Sequence, residues 1–340
     1  SPLVGSVASA LNIAAAKALT TLTDGQAIYI RGYTTAGDGG GGMYIYDASS
    51  AATANDGTVL ALNTLAGRLL YSDTAPATVE TFGAVGDGAT DNTAAILLRI
   101  SALEDGDDLI LPAGGVYALD DTGGQVRPPG AGAGPAPIGI TPTKFTINNI
   151  DGLTIKGGGT LKLLSNGPFN WHFFQFNNCN NLKIERVNLI GNRLPPASIN
   201  YNGETGEFIR LSNCKRVTIT LNYFTLVSIS SIRVQANSQG IKITNNYSYD
   251  GNDCFVQVGD ADSATLASDP RDVVISNNII DQFYTDAGIK IRYSAHNVVI
   301  DSNIILAYLG GATQNPPALM IRGMAARAGA VTDIVVSNNY

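Results

Sequence analysis

The sequence contains few charged residues, few aromatic residues and no long apolar run. Of its 340 residues, 14% are charged and 7% are aromatic, whereas about 25% of an average soluble domain is charged. No apolar run approaches the roughly 18 residues that a membrane-spanning helix requires, so we expect no insertion into a membrane. Valine, isoleucine, leucine and tyrosine run throughout the chain, which excludes an intrinsically disordered protein.

Cysteine and histidine are also scarce. The three cysteines, Cys179, Cys214 and Cys254, include no CxxC pair, which argues against a disulfide framework and against a zinc site. We therefore expect them to be buried free thiols. The two histidines, His172 and His296, belong to no HExxH motif and to no Ser–His–Asp series.

The net charge and the distribution of glycine exclude further classes of protein. The net charge is -7 and the isoelectric point is near 4.8, so we expect no general affinity for nucleic acid. The 38 glycines follow no three-residue period, which excludes collagen. Two glycine-rich stretches, GDGGGG and GAVGDG, are not followed by GK[ST], and they are typical of tight turns rather than of a phosphate-binding loop.

A repeat of variable length runs through the second part of the chain. Seven short segments alternate branched apolar residues with polar ones, and their central apolar residues lie 24 to 36 residues apart. These central residues are Ile155, Ile184, Ile219, Ile243, Ile275, Ile300 and Val336. A fixed strand separated by loops of variable length is typical of stacked coils.

Asparagines follow most of these segments at a constant offset. They are Asn222, Asn246, Asn278, Asn303 and Asn339. Stacked amides can hydrogen-bond along such a column, and asparagine tolerates the left-handed backbone of a sharp bend. We therefore assign the column a structural role.

Two further families of short strands accompany the first one. One family precedes it, as in FIRLS and FVQVG, and the other follows the asparagine, as in NIILAY. Three strands per coil with apolar residues inside predict an all-β fold, a right-handed single-stranded parallel β-helix.

The composition changes near residue 76. Residues 1–76 are expected to form a small head domain, with a short helix within Val7–Leu19, and residues 77–340 the β-helix. Asp91 or Asn92 can cap an amphipathic helix near 91–103 that closes the first coil. Because the sequence stops in mid-coil at Tyr340, we expect further coils beyond it.

Outward positions of the FIRLS family stack in columns about 4.8 Å apart per coil. One column contains Gln175, Arg210, Arg233, Gln257, Lys290 and Met320. Its neighbour contains Asn177, Ser212, Gln235, Gly259, Arg292 and Arg322. The columns predict a cationic and amide stripe, and Arg is suited to clamp the carboxylate of an acidic polysaccharide. Two carboxylates, Asp253 and Asp286, precede successive strands at its edge.

The opening of the repeat region resembles a known family. Phe82 to Ile96 reads FGAVGDGATDNTAAI, which resembles the N-terminal signature of the pectate-lyase-like β-helix superfamily as found in bacteriophage tailspikes. Gly32 to Leu60, followed by AGRLLYS, resembles the head domain that precedes it in such proteins. The resemblance implies a tailspike depolymerase in the virion that acts at the bacterial cell surface. It also implies a homotrimer whose head attaches to the phage tail or baseplate, and capsule or lipopolysaccharide O-chain as its polysaccharide.

A second resemblance concerns the chemistry. YDGNDCFVQVG from Tyr249 resembles the paired-aspartate segment of polygalacturonase-type hydrolases, but Asn252 stands at the first acidic position, so only Asp253 carries over. The basic strand GIKIRY resembles theirs with the order of Lys290 and Arg292 inverted.

Two mechanisms remain open. Hydrolysis, which we slightly prefer, needs two carboxylates, here from Asp253, Asp286 and Asp250. β-Elimination needs a cation beside a uronate and a base, for which Lys290, Arg233 or Tyr293 would serve.

The sequence also leads to expectations about substrate binding, cofactors and alternative functions. We expect Arg210, Arg233, Gln257, Arg292 and Tyr293 to bind the substrate. No cofactor is predicted, although a crowded carboxylate group can bind Ca²⁺. A non-catalytic receptor-binding fibre and a non-phage polysaccharide lyase or epimerase are the alternative functions.

Overall fold

The computed structural model of the protein describes residues 7–119, 143–164, 172–191, 207–227, 230–251, 254–259, 269–283, 287–306, 317–323 and 331–340. Every helix within these ranges is too short or too polar to span a lipid bilayer. The described residues contain two separate hydrophobic clusters, one drawn from residues 10–69 and the other from residues 79–300.

The first cluster belongs to a small five-stranded sheet with strand order β1-β2-β3-β5-β4. Its strands are β1 (Ala8–Ala10), β2 (Ala27–Ile30), β3 (Gly42–Asp47), β4 (Val59–Ala61) and β5 (Arg68–Tyr71), and one helix, α1 (Ile13–Lys17), packs on it. Alternation in β3 buries Tyr44 and Tyr46, and the Tyr44 hydroxyl donates to the Gly57 carbonyl at 2.7 Å. The helix expected within Val7–Leu19 is shorter than predicted, because residues 8–10 pair with β2 as a strand.

The FGAVGDG motif joins the two parts of the chain. A 3-10 helix (Glu80–Phe82) ends at Gly83, whose φ of 93° is left-handed and whose missing Cβ would lie 2.6 Å from the Tyr33 ring. The buried Asn92 side chain holds the following turn, accepting from the Val85 N–H at 2.5 Å and donating to the Val85 carbonyl at 3.0 Å. These contacts explain why the signature needs glycine and asparagine at these positions.

Helix α2 (Thr93–Ser101) lies at the first coil, as the sequence predicts. Asn92 occupies the N-cap position, but its side chain binds Val85 instead of the helix. The Asp91 carboxylate accepts from the Thr93 N–H at 3.0 Å and therefore supplies the capping hydrogen bond. Ile96 is fully buried in the β-helix cluster, so the apolar face of α2 closes the end of the core.

The remaining strands form three parallel sheets, which the coils visit in the order sheet I, sheet II, sheet III. Sheet I contains β9 (Thr143–Asn148), β12 (His172–Asn177), β15 (Glu207–Ser212), β18 (Ser230–Gln235), β21 (Cys254–Val258), β24 (Ile289–Tyr293) and β27 (Leu319–Gly323). Sheet II contains β7 (Asp108–Ile110), β10 (Thr154–Lys156), β13 (Lys183–Glu185), β16 (Lys215–Thr220), β19 (Gln239–Thr244), β22 (Arg271–Ser276), β25 (Ala295–Asp301) and β28 (Val331–Ser337). Sheet III contains β6 (Asp87–Asp91), β8 (Val116–Leu119), β11 (Thr160–Leu163), β14 (Asn188–Ile190), β17 (Tyr223–Thr225), β20 (Tyr247–Gly251), β23 (Ile279–Phe283) and β26 (Ile304–Ile305). The predicted parallel β-helix with three strands per coil is confirmed.

The register of sheet II matches the sequence repeat residue by residue. The seven central apolar residues, from Ile155 to Val336, are direct partners on successive strands. From Ile155 to Ile300 they are at most 1% exposed. Phenylalanines fill the core between the sheets, with Phe173, Phe208, Phe224 and Phe255 in ring contact along the stack. The three cysteines are buried free thiols, as predicted.

A buried asparagine ladder connects sheets II and III. In each step, the side-chain amide and the backbone N–H of one asparagine both donate to the side-chain oxygen of the asparagine one coil later, at 2.9 to 3.1 Å. The members are the five predicted residues Asn222, Asn246, Asn278, Asn303 and Asn339. Because buried amides are stable only when hydrogen-bonded, the ladder is a structural element of the coil.

The expected left-handed backbone lies one residue earlier than the ladder. The residue before each ladder asparagine has a φ between 49° and 59°; these residues are Leu221, Asn245, Asn277, Ser302 and Asn338. The residue before each ladder asparagine therefore makes the bend, while the ladder side chain points inward and satisfies buried backbone groups.

Candidate functional site

The predicted outward column lies in register on sheet I. Direct strand partners join Gln175 to Arg210, Arg210 to Arg233, Arg233 to Gln257, Gln257 to Lys290 and Lys290 to Met320. We call these six residues the sheet I column. Its side chains come from successive coils, so they follow one another at the strand spacing of about 4.8 Å.

A buried glutamate orders the two arginines of this column. Arg210 Nε donates to Glu207 Oε2 at 2.6 Å, and Arg233 Nη1 donates to Glu207 Oε1 at 2.9 Å. The Glu207 side chain is 1% exposed, whereas those of Arg210 and Arg233 are 22% and 21% exposed. Because a buried carboxylate needs both hydrogen bonds and opposite charge, this triad fixes both guanidinium groups and neutralises one of their charges.

Sequence reasoning missed Glu207. It precedes Arg210 by three residues at the start of β15, and strict alternation places such residues on opposite faces of a strand. An acidic residue at the first position of a strand is the signal that could have drawn attention to it. Among the described strands of sheet I, Glu207 is the only acidic residue.

The sheet I column has a near half, Gln175, Arg210 and Arg233, and a far half, Gln257, Lys290 and Met320. In the far half, Gln257 and Lys290 are closed to solvent and Met320 is half-buried. Gln257 is 5% exposed and Lys290 is 1% exposed, although both are in register with the partly exposed arginines. The predicted cationic stripe is therefore accessible at Arg210 and Arg233, whereas Lys290 is in the same register but buried. Lys290 has an interaction partner, as a buried ammonium group requires.

The near half lies within a partly exposed polar surface, which we call the open face. It contains Thr146, Asn148, Gln175, Asn177, Arg210, Ser212, Arg233 and Gln235, all on the outward side of β9, β12, β15 and β18. Asn177 Nδ2 donates to Asn148 Oδ1 at 2.8 Å, and Gln175 Nε2 donates to Asn177 Oδ1 at 3.1 Å. Amides, hydroxyls and guanidinium groups together supply donors and acceptors for a ligand rich in hydroxyl groups.

The structure describes some of the other predicted site residues and not others. Asp253 and Asp286 lie outside the described residues, and so does the side chain of Tyr293. Asp250 is in β20 with a left-handed φ of 55° and has an interaction partner. Arg292 is half-buried, pairs in register with Arg322 and also has a partner. The catalytic and binding roles assigned to these residues remain predictions.

The described residues contain no group of three histidine, cysteine, aspartate or glutamate side chains that could hold a metal ion. Both oxygens of the buried Glu207, which holds the two arginines of the open face, accept hydrogen bonds from guanidinium groups. A carboxylate held in this way by two cations is not suited to bind Ca²⁺, which prefers several oxygen ligands.

Comparison with known proteins identifies the small sheet. Residues 9–78 match the family described as the phage tail protein small four-stranded β-sheet domain. No curated protein matches the sequence. The chain thus joins a phage tail domain to a parallel β-helix, which confirms the resemblance inferred from its motifs at the level of these two folds.

Several solved structures of phage tailspikes are similar to this chain. The tailspike protein of Acinetobacter baumannii phage AM24 is 14% identical, with a TM-score of 0.52 over 96% of this chain and 54% of that one. The enzymatically active domain of tailspike protein 2 of bacteriophage CBA120 is 13% identical, with a TM-score of 0.45 over 98% and 62%. The tailspike of Escherichia coli bacteriophage HK620, solved with a pentasaccharide, is 14% identical, with a TM-score of 0.49 over 80% and 52%. The chain spans less than two thirds of the length of each.

Proposed function

We propose that this chain is part of a phage tailspike that binds a bacterial surface polysaccharide on the open face of sheet I and cleaves it. The observation that carries the proposal is the combination of a phage tail domain at residues 9–78 with an ordered guanidinium and amide surface on the adjoining β-helix. The β-helix shares its fold with the tailspike of phage AM24. In this proposal the head attaches to the phage tail and the β-helix acts at the bacterial cell surface.

The geometry of the open face supports binding of an extended glycan. Its polar side chains repeat at the strand spacing along four successive strands, so that a chain of sugars lying along the stack meets similar groups at each step. The Glu207 ion pairs hold the two arginines in fixed positions before any ligand arrives. Such pre-ordering reduces the entropy that a bound ligand must overcome.

For the cleavage step we favour hydrolysis over β-elimination. Hydrolysis requires two carboxyl groups beside the glycosidic bond, and Asp253 and Asp286, assisted by Asp250, are the candidates. For β-elimination, the candidates for the base and for the cation beside a uronate are Arg233, Tyr293 and Lys290. The burial of Lys290 limits its access to a large substrate, which makes it the least favourable of the three.

A cleavage assay tests the proposal. Purified protein is incubated with capsules and lipopolysaccharides from a panel of bacteria, and new reducing ends and the absorbance of unsaturated uronates are both followed. Reducing ends without the absorbance increase are expected, because hydrolysis creates no double bond. Asp253→Asn and Asp286→Asn should each reduce the rate about a hundredfold or more.

Asp333→Asn is the matched control for these variants. Asp333 is exposed on sheet II with a left-handed φ of 57°, which asparagine also tolerates. This variant should cleave at the normal rate. No cleavage of any glycan in the panel would contradict the catalytic part of the proposal.

A non-catalytic receptor-binding fibre is the second candidate. It is favoured by the open face itself, where the described strands provide a single carboxylate and both of its oxygens bind guanidinium groups. In that case the polysaccharide would bind without being cleaved, and the aspartate variants would bind it equally well.

We also propose that the protein assembles as a homotrimer. The proposal rests on the tail domain and the tailspike fold. The molar mass from light scattering should be three times that of the 35.4 kDa chain. A monomeric mass would contradict it.

A further inference from the structure

Arg210 has most of its guanidinium group available on the open face. Among the described residues it makes one hydrogen bond, from Nε to Glu207 Oε2 at 2.6 Å. Its Nη1 and Nη2 groups therefore remain for a ligand, and its side chain is 22% exposed. Two parallel N–H donors on a planar group match the two oxygens of a carboxylate.

We infer that the polysaccharide bound by the open face is acidic and that a sugar carboxylate binds Arg210 through Nη1 and Nη2. The inference deepens the proposed function and rests on it. Glu207 acts here as a positioning residue, because it holds the Nε edge of Arg210 and leaves the other edge outward.

The other cations of the sheet I column are less suitable. Arg233 has a second interaction in addition to its bond to Glu207, and its Nε is buried. Lys290 is 1% exposed. Arg210 is also the direct strand partner of Gln175, one of the amides of β12. A carboxylate on Arg210 would therefore place the neighbouring sugar hydroxyls over Gln175 and Asn177.

The charge balance of the triad fits one carboxylate. Two arginines and Glu207 leave one positive charge on the open face. The chain as a whole carries a net charge of -7, so a polyanion is repelled at long range and gains attraction only where it contacts this site. Binding should therefore depend on the carboxylate and on the shape of its receptor more than on overall charge.

The test uses paired polysaccharides and paired variants. Capsular polysaccharides, both acidic and neutral, are screened for binding, and each acidic one that binds is also prepared with its carboxyl groups reduced to alcohols. Phosphate groups survive this reduction, so it separates carboxylate from phosphate recognition. Binding is measured for the wild type, Arg210→Lys and Arg216→Lys.

Arg216 is a matched control for Arg210. It is exposed on sheet II, and its Nε also donates to a side-chain oxygen, Asn181 Oδ1, at 2.6 Å. Both variants keep the charge and lose the planar fork, one on the open face and the other on sheet II. Equal thermal unfolding of both variants is the check on folding.

Acidic polysaccharides should bind, and reduction of their carboxyl groups should abolish binding to the wild type. Arg210→Lys should weaken binding about tenfold, equivalent to about 1.4 kcal/mol, and Arg216→Lys should not. Binding to neutral polysaccharides alone, equal binding after reduction, or unchanged binding by Arg210→Lys would each overturn the inference and leave the proposed function standing. If no surface polysaccharide of any charge binds, the proposed function itself fails. The reduction arm uses the wild type, so it decides even if a variant does not fold.

Discussion

The two halves of the sheet I column share one register and differ in burial. Arg210 and Arg233 in the near half are about one-fifth exposed, whereas Gln257 and Lys290 in the far half are buried. The pleat of the strands sets the direction of all these side chains. Residues of one column therefore point in the same direction and still differ in their contact with solvent.

The difference explains how the charges are accommodated. The near arginines share a buried glutamate and keep part of their guanidinium groups in water. Lys290 has lost its water almost completely and depends on its interaction partner. This difference is consistent with the proposed binding of a ligand by the near half, and it leaves Gln257 and Lys290 of the far half without access to a large ligand.

The largest expected effect concerns the far half. Lys290→Met removes a buried ammonium group and leaves its partner unpaired, so we expect the free energy of unfolding to fall by about 3–5 kcal/mol. Arg210→Met should cost about 1 kcal/mol, since Glu207 keeps Arg233 as a partner and the arginine is partly solvated. Chemical denaturation measures both values. Equal losses would show that the two halves do not differ.

The asparagine ladder provides the next comparison, because it runs behind both halves. Asn222 belongs to the coil of Arg210 and Asn278 to that of Gln257. Each is at most 2% exposed, and its side chain binds a backbone carbonyl, a backbone N–H and a neighbouring amide.

Asn222→Ala and Asn278→Ala should therefore each cost about 3 kcal/mol, because buried partners lose their hydrogen bonds. Similar losses in denaturation would place the difference between the halves in the outer covering. A much smaller loss of stability for one of the two variants would mean that the coils themselves differ between the halves.

Removal of the Glu207 carboxylate tests whether this residue holds the two arginines of the near half in place. Glu207→Gln leaves two arginines without their shared carboxylate, and we expect a loss of about 2 kcal/mol, because both arginines remain partly solvated. Glu185→Gln is the control, since Glu185 pairs at 3.0 Å with Lys183, whose side chain is 46% exposed. The control should lose less than about 1 kcal/mol. If both variants unfold alike, Glu207 does not order the arginines.

The smallest expected effect concerns the rate at which lysine amines are chemically labelled in the folded protein. An amine-reactive ester should modify the exposed Lys183, Lys215 and Lys242 rapidly and Lys290 hardly at all in the folded protein. Peptide mass spectrometry measures each rate. Rapid modification of Lys290 would mean that the far half opens in solution.

The sequence predicted the parts of the structure that repeat. Ile155 to Val336 and Gln175 to Met320 were aligned correctly because one residue of displacement turns every side chain of a strand to the other face. Glu207 was not predicted, because residues three apart on a strand are expected on opposite faces, and its contact with Arg210 departs from that alternation. The burial of Lys290 was not predicted either, because it depends on what covers the sheet and not on the strand itself.

A crystal structure with an oligosaccharide from the surface polysaccharide of the host bacterium tests the central claim most directly. We expect the sugars to lie along the open face, with a carboxylate on Arg210 and hydroxyls on Gln175 and Asn177. An oligosaccharide bound on sheet II or sheet III, with the open face of sheet I empty, would contradict the account.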